Sequence, residues 1–356
     1  MRPIFAALDA AALRHNYGVA RRAAGDRRLW AVVKADAYGH GLEWAAQTLA
    51  ELADGFALIE LEGAVALRQA GWRHPLLMLE GFYAAAELPL FITHRLIPVL
   101  HCQQQLQSLL ASDWPLDLPV YLKLNSGMHR LGFAAREFVA AHAALRRRGL
   151  QVVLMSHFAD ADGERGIDWQ LARFAAAARD IDAEASLANS AALLRFPEAA
   201  GAWARPGIML YGGSPFPQRQ SAADLDLRPV MTLQAEIIAE QHLAAGDSVG
   251  YGCTFTASQA MRVGVVACGY ADGYPRHAGD GAPVLAGGVR TRTVGRVSMD
   301  KLCVDLTPLP PQVGVGSLAT LWGEGLAADE VATAADTISY ELFCAVNSRV
   351  NMQWRD

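Results

Sequence analysis

The 356-residue sequence has no closely spaced cysteine pair, no long apolar run and no block of one charge. Its five cysteines (Cys102, Cys253, Cys268, Cys303, Cys344) are odd in number and far apart, which excludes a disulfide framework. No Cys/His cluster has zinc-ligand spacing, so no metal is expected. No apolar stretch approaches the roughly 18 residues that cross a bilayer. Asp9, Arg14 and His15 interrupt the N-terminus before a signal-type region could form. These absences predict a soluble cytoplasmic protein without a membrane partner. Basic residues (31) are fewer than acidic ones (36), giving a net charge of −5. They are scattered, and the run 146–148 reads as the solvated end of a helix, so nucleic acid is excluded as a main partner. Only 19% of residues are charged against 52% hydrophobic, enough for a full core and too apolar for a disordered chain.

What is present alternates. Stretches rich in Ala, Leu and Arg at 9–24, 42–52, 61–70, 102–111, 135–149, 167–180 and 190–195 predict helices, the first capped by Asp9. Between them run short apolar segments at 29–33, 56–59, 76–79, 98–100, 120–124, 152–155, 186–188 and 208–211. They are too short for helices, and several are apolar without alternation, as strands buried on both faces are. Eight such repeats over about 200 residues predict a (β/α)8 TIM-type barrel at 9–228. Beyond Pro229, segments at 230–243, 263–270, 284–295 and 303–306 are broken by GD, DG and GG turns. They predict a mainly β C-terminal domain over 229–356.

Barrel enzymes draw their reactive groups from the C-terminal ends of the strands. Lys34 directly follows the first strand, where an apolar surround would lower its pKa and free its amine for Schiff-base chemistry. A solvated strand-end lysine is the ordinary alternative. Tyr38 and His40 lie in the loop that follows. Lys123 lies inside the 120–124 segment and Arg130 comes seven residues later with no acid between them. Such a pair calls for a bound anion or a modified lysine. His157 follows the sixth strand. Ser190 opens a helix after the seventh, either as an N-cap or as a phosphate donor. Arg205 and Gly207 stand at the eighth. A Schiff-base lysine at one end of the barrel and a phosphate grip after strands seven and eight fit pyridoxal phosphate, PLP.

The segments AVVKADAYGHG (31–41), KLNSGMHRLGF (123–133), SHFADAD (156–162), ANSAALLR (188–195), RPGIMLYG (205–212), VGYGCTFTA (249–257), CGYADGYPR (268–276) and GRVSMD (295–300) are collinear, and together they resemble the alanine racemases. The resemblance implies a fold-type III PLP isomerase that interconverts L- and D-alanine by two-base transfer of the α-proton on a PLP aldimine. Its product would serve peptidoglycan or alanine catabolism. Residues 1–8 would add a strand to the β domain. Lys34 and Tyr251 would be the two bases, with Tyr251 reaching the cofactor of a homodimer partner. His157 and, behind it, Arg205 would stabilise the Tyr251 phenolate, with Arg205 also facing the pyridine nitrogen. Tyr38, Ser190 and the backbone of Gly207 and Ile208 would hold the phosphate. Arg130 would contact the substrate carboxylate, and Met299 and Asp300 would approach it from the other subunit. Lys123 would be N-carboxylated. Asp162, Tyr270 and Arg296 would line the substrate passage. Ser348 stands where some members carry a tyrosine that narrows this passage.

Three other readings are a racemase that also accepts serine, a barrel-type PLP decarboxylase and a non-catalytic PLP carrier. A decarboxylase places an acid at the pyridine nitrogen, where Arg205 stands here. A carrier resembles an isolated barrel, without a second domain.

Overall fold

The computed structural model describes residues 2–355. Two compact units divide the chain: 16–37 with 41–210, and the remaining segments up to residue 15, 38–40 and from 211 onward. The chain opens with β1 (Ile4–Asp9) and α1 (Ala10–Ala24). The Asp9 carboxylate accepts from the Ala12 amide at 2.8 Å and caps α1.

The first of these units is the barrel. Its strands are β2 (Arg28–Val32), β3 (Gly55–Leu58), β4 (Leu76–Met78), β5 (Leu96–Leu100), β6 (Val120–Lys123), β7 (Val152–Met155), β8 (Ala185–Ser186) and β9 (Trp203–Ala204). Each pairs in parallel with the next, from β2 through β8. β9 returns to pair with β2, Leu29 opposite Ala204. The ring closes where the amides of Ala202 and Arg205 donate to the carbonyls of Ala185 and Ala188 at 2.8 and 2.9 Å. β3 through β6 are buried along their whole length, which is why the sequence reads there as unbroken apolar runs. After β2 come α2 (Lys34–Gly39), described below, and α3 (Leu42–Thr48). Single helices follow the next strands: α4 (Leu61–Gln69), α5 (Leu88–Thr93), α6 (Gln103–Ala111), α7 (Ala135–Arg147), α8 (Asp168–Ala178) and α9 (Ser190–Arg195).

One expected barrel strand is not a strand. Residues 208–211 are not the eighth strand but a buried 3-10 turn, Ile208–Tyr211. The eighth strand is the two-residue β9 just before it. Pro206 supplies no amide to continue a ladder, so the chain leaves the sheet there. The apolarity of 208–211 reflects burial alone.

The second unit is a mainly β layer with β10 (Met231–Leu243), β11 (Ser248–Val249), β12 (Phe255–Thr256), β13 (Met261–Val266), β14 (Pro283–Ala286), β15 (Val289–Arg292), β16 (Leu302–Asp305), β17 (Leu318–Trp322) and β18 (Asn351–Arg355), with α10 (Ala328–Ala334) and α11 (Ser339–Ala345). The long β10 is its spine. It pairs antiparallel with β1, β13 and β17, and β18 adds in parallel to β1. The stretch 284–295, read as one strand, is a hairpin of β14 and β15 turned at Gly287 and Gly288.

Candidate active site

Lys34 leaves β2 into an unusual segment. Ala35, Asp36, Ala37 and Tyr38 all have φ between +52° and +55°, and Gly39 follows at +77°. α2 is therefore one left-handed turn, a conformation that costs an L-residue about 1–2 kcal/mol at each position. Local bonds hold it. The Ala35 amide donates to Glu60 Oε1 at 2.9 Å and the Gly41 amide to the Asp36 carbonyl at 2.9 Å. The Leu42 amide donates to Asp36 Oδ1 at 2.6 Å. A Cβ on Gly39 would stand 2.2 Å from the Phe343 carbonyl, so only glycine fits there.

In the barrel unit, the ends of β6 to β9 bring together Lys123, His157, Ser190 and Arg205. Arg205 is buried and donates to Ser186 Oγ at 2.7 Å, the Ser156 carbonyl at 2.7 Å, the Leu187 carbonyl at 3.2 Å and His157 Nδ1 at 3.2 Å. None of these acceptors is acidic. Burial pulls its pKa down to about 10, which leaves it fully charged at neutral pH. An arginine only donates, so His157 Nδ1 must be the bare acceptor and the imidazole proton sits on Nε2. Desolvation, reinforced by Arg205, Lys123, Arg130 and Lys34, holds the His157 pKa well below its usual value and keeps the ring neutral.

Lys123 is buried, and its pKa falls to about 8 through desolvation and the positive charges of Arg205, Arg130 and Lys34. A small cavity of about 10 Å³ lies beside it, bordered by Asn125, Arg130 and His157. Asn125 does not compensate the two cations. Its Oδ1 accepts from the amides of Gly127 and His129, both at 3.1 Å, and shapes the turn toward the exposed Arg130.

The α9 N-cap is Asn189, whose side chain accepts from the Ala192 amide at 2.9 Å. Ser190 is therefore not the cap. Its hydroxyl accepts from the Gly207 amide at 2.8 Å, tying the end of β8 to that of β9 beside the buried Ile208.

In the other unit Tyr38 is buried, with its ring stacked on Tyr211 at 4.7 Å and tilted against Tyr340 at 5.9 Å. Burial drives its phenol pKa far upward, so it remains a donor. Tyr340 was not singled out from the sequence. It supplies an aromatic neighbour to Tyr38, eight residues before Ser348. Tyr251 stands 72% exposed on a turn between Gly250 and Gly252, both at positive φ. Arg296 lies alongside, its Nη1 3.2 Å from where a Gly252 Cβ would be. Tyr270 and Met299 are also exposed, at 40% and 52%. The Asp300 carboxylate is taken by Arg349. Asp162 is exposed on the loop after β7.

The donor set fits PLP. In the barrel unit the buried Ser190 hydroxyl, whose oxygen already accepts from the Gly207 amide, and the main-chain amide of Ile208 are neutral donors suited to a phosphate; in the other unit the protonated phenol of Tyr38 is a donor of the same kind. The charged, acid-free Arg205 suits an unprotonated pyridine nitrogen. No carboxylate belongs to this set to repel the phosphate.

Among the described residues no helix is long and apolar enough to cross a membrane. Residues 8–215 match the family model "Alanine racemase, N-terminal domain", and residues 230–354 match "Alanine racemase, C-terminal domain". The chain is 49% identical over 354 residues to alanine racemase of Erwinia tasmaniensis, covering 99% of both chains. It is 50% identical over 351 residues to the catabolic alanine racemase of Salmonella typhimurium, covering 98% of both. The crystal structure of biosynthetic alanine racemase from Pseudomonas aeruginosa superposes with a TM-score of 0.96 at 46% identity over the whole of both chains. Relatives named catabolic and biosynthetic thus stand at similar distances, and neither the serine-accepting racemase nor the decarboxylase is favoured. With both halves matched over nearly their full length, the chain belongs to the alanine racemase family, and its reaction is the isomerisation of L- and D-alanine.

Proposed function

We propose that the reaction runs by two-base proton transfer in a homodimer that binds PLP, with Lys34 serving one face of the substrate and the partner subunit's Tyr251 the other. The observation that carries this reading is the bonding of Arg205, whose partners are all neutral and whose contact with His157 Nδ1 leaves a donor at Nε2. A tyrosine with an ordinary pKa of about 10 is a poor base unless its phenolate is stabilised. His157 Nε2–H is the group for that task, and the Arg205 charge behind it strengthens the bond. PLP, when bound, supplies the electron sink that makes an amino-acid α-proton acidic. Arg205, which can only donate, would hold the ring nitrogen as an acceptor; that would moderate the sink and favour quick return of the proton over transamination.

Lys34 would hold the cofactor through its amine, and that amine would take or return the proton on the D face. Tyr38, Ser190 and the amides of Gly207 and Ile208 hold the phosphate. Arg130 grips the substrate carboxylate. Lys123, with a pKa of about 8, keeps about a tenth of its amine neutral at pH 7, and that form can attack carbon dioxide and release one proton to solvent. The resulting carbamate would replace a cation with an anion and orient Arg130. Met299 and Asp300 border the substrate, and Asp162, Tyr270 and Arg296 line its passage.

Proton exchange in D2O tests the two bases separately. The enantiomers are equal in free energy, so losing either base lowers kcat/KM equally in both directions. Exchange is not bound by that symmetry. Tyr251→Phe is expected to abolish loss of the α-proton from L-alanine while D-alanine still exchanges through Lys34. Racemisation at the wild-type rate in this variant removes Tyr251 from the mechanism.

A further inference from the structure

Asp272 has a side chain fully closed off from solvent and belongs to neither base's surroundings. Two guanidinium groups from opposite ends of the chain converge on it. Arg2 donates through Nη1 to Oδ1 and through Nη2 to Oδ2, the latter at 3.0 Å. Arg349 Nε lies 3.1 Å from Oδ1. The Gly269 amide donates to Oδ2 at 2.9 Å. Both arginines reach further. Arg2 Nη2 also donates to the carbonyls of Ala267 and Asp300, each at 3.1 Å, and Arg349 Nη2 donates to Asp300 Oδ1.

The loops they join lie backbone against backbone. The Tyr270 and Ala271 amides donate to the Ser298 and Met299 carbonyls, both at 3.0 Å. A Cβ on Gly269 would sit 2.3 Å from the Ser298 carbonyl, so the approach needs glycine. Asn347 Nδ2 adds a bond to the Ala271 carbonyl at 2.9 Å. Two cations and two carboxylates therefore fix one pair of loops, and the tips of those loops present Tyr270 and Met299 outward. Exposed side chains of this kind would otherwise wander. Asp272 is buried while Arg2 and Arg349 stay partly exposed, and a buried carboxylate gripped from two sides has one good geometry, so the group defines position more than it adds stability.

We propose that Asp272 is a positioning residue: the Arg2–Asp272–Arg349 clamp sets where Met299 and Asp300 stand and thereby how well the substrate is held. This rests on the reading that Met299 and Asp300 border the substrate. The effect belongs in KM, because the clamp touches neither proton-transfer base.

The test measures KM, kcat and cofactor content of the full-length, PLP-saturated enzyme with L-alanine. Arg349→Gln is expected to raise KM about tenfold with kcat within about twofold and cofactor content unchanged. Asp272→Asn should do at least as much. Should that variant fail to fold, Arg349 carries the test, since its loss leaves Asp272 paired with Arg2. Combining Arg349→Gln with Asp300→Asn should cost no more than the worse single change, as expected for two partners in one interaction. Arg349→Lys should recover only part of the loss, because one ammonium does not span both carboxylates. A raised KM in Asp300→Asn beside an unchanged KM in Arg349→Gln overturns the clamp and leaves the substrate reading standing. An unchanged KM in Asp300→Asn overturns that reading and the clamp with it. A lower melting temperature with both kinetic constants unchanged also overturns the clamp.

Discussion

At His157 the bond from Arg205 fixes one proton, and the surrounding charges fix when a second can be added. The folded site holds this imidazole neutral well below 6.5, whereas in the unfolded chain it protonates near that value. Between those two values the unfolded state binds more protons, so stability rises with pH. The contribution is complete above 6.5 and is lost as the pH falls below it. His157→Gln removes the titrating group and should flatten the decline in melting temperature between about pH 7 and about pH 5. Equal slopes in the two proteins would mean that the folded ring protonates as readily as a free one. Residues such as Lys34, Arg205 and His157 were legible in the sequence because each sits next to a strand end. Asp272 and Tyr340 were not. Asp272 acquires its partners across 270 and 77 positions of sequence, from Arg2 and Arg349. Tyr340 meets Tyr38 only after the chain has passed through the whole barrel. No local pattern marks either contact.

Among the elements, α2 is the one whose conformation the residue types do not announce. Ala, Asp, Ala and Tyr carry no signature of positive φ, and only Gly39 does. The strands from β3 to β7 were legible because burial on both faces writes itself as an apolar run. β8 was legible but placed slightly late, at 186–188, whereas the two-residue β9 leaves too short a trace, and the longer apolar run at 208–211 outweighed it for a reason unrelated to sheet pairing. The left-handed turn makes a prediction with an unusual sign. An exposed alanine in a right-handed helix loses about 1 kcal/mol when changed to glycine. At Ala35, also exposed, the change relieves about 1–2 kcal/mol of backbone strain and gives back about 0.4–1 kcal/mol through the freer unfolded chain. Ala35→Gly should therefore stabilise the protein by roughly 0.5–1 kcal/mol in denaturant titrations. Gly39→Ala should destabilise it, because the new Cβ meets the Phe343 carbonyl. A destabilising Ala35→Gly would show that the turn is right-handed in solution.

For the whole molecule, the proposed homodimer gives the exposed Tyr251, Tyr270 and Met299 a place, since in it they would meet the second copy. In a dimer with two-fold symmetry each subunit gives the same group to the other's site. The arrangement can be read by mixing two inactive proteins. Lys34→Ala lacks one base and Tyr251→Phe the other. When their subunits exchange, each mixed dimer has one site with both defects and one site with neither, provided Tyr251 acts across the interface. Equal amounts at full exchange give about half mixed dimers, each with one working site of two, so about a quarter of wild-type activity should return. If Tyr251 serves the Lys34 of its own chain, every site in the mixture keeps one defect and no activity returns. Recovery must also follow subunit exchange in time, since immediate activity on mixing would point to residual activity in one parent.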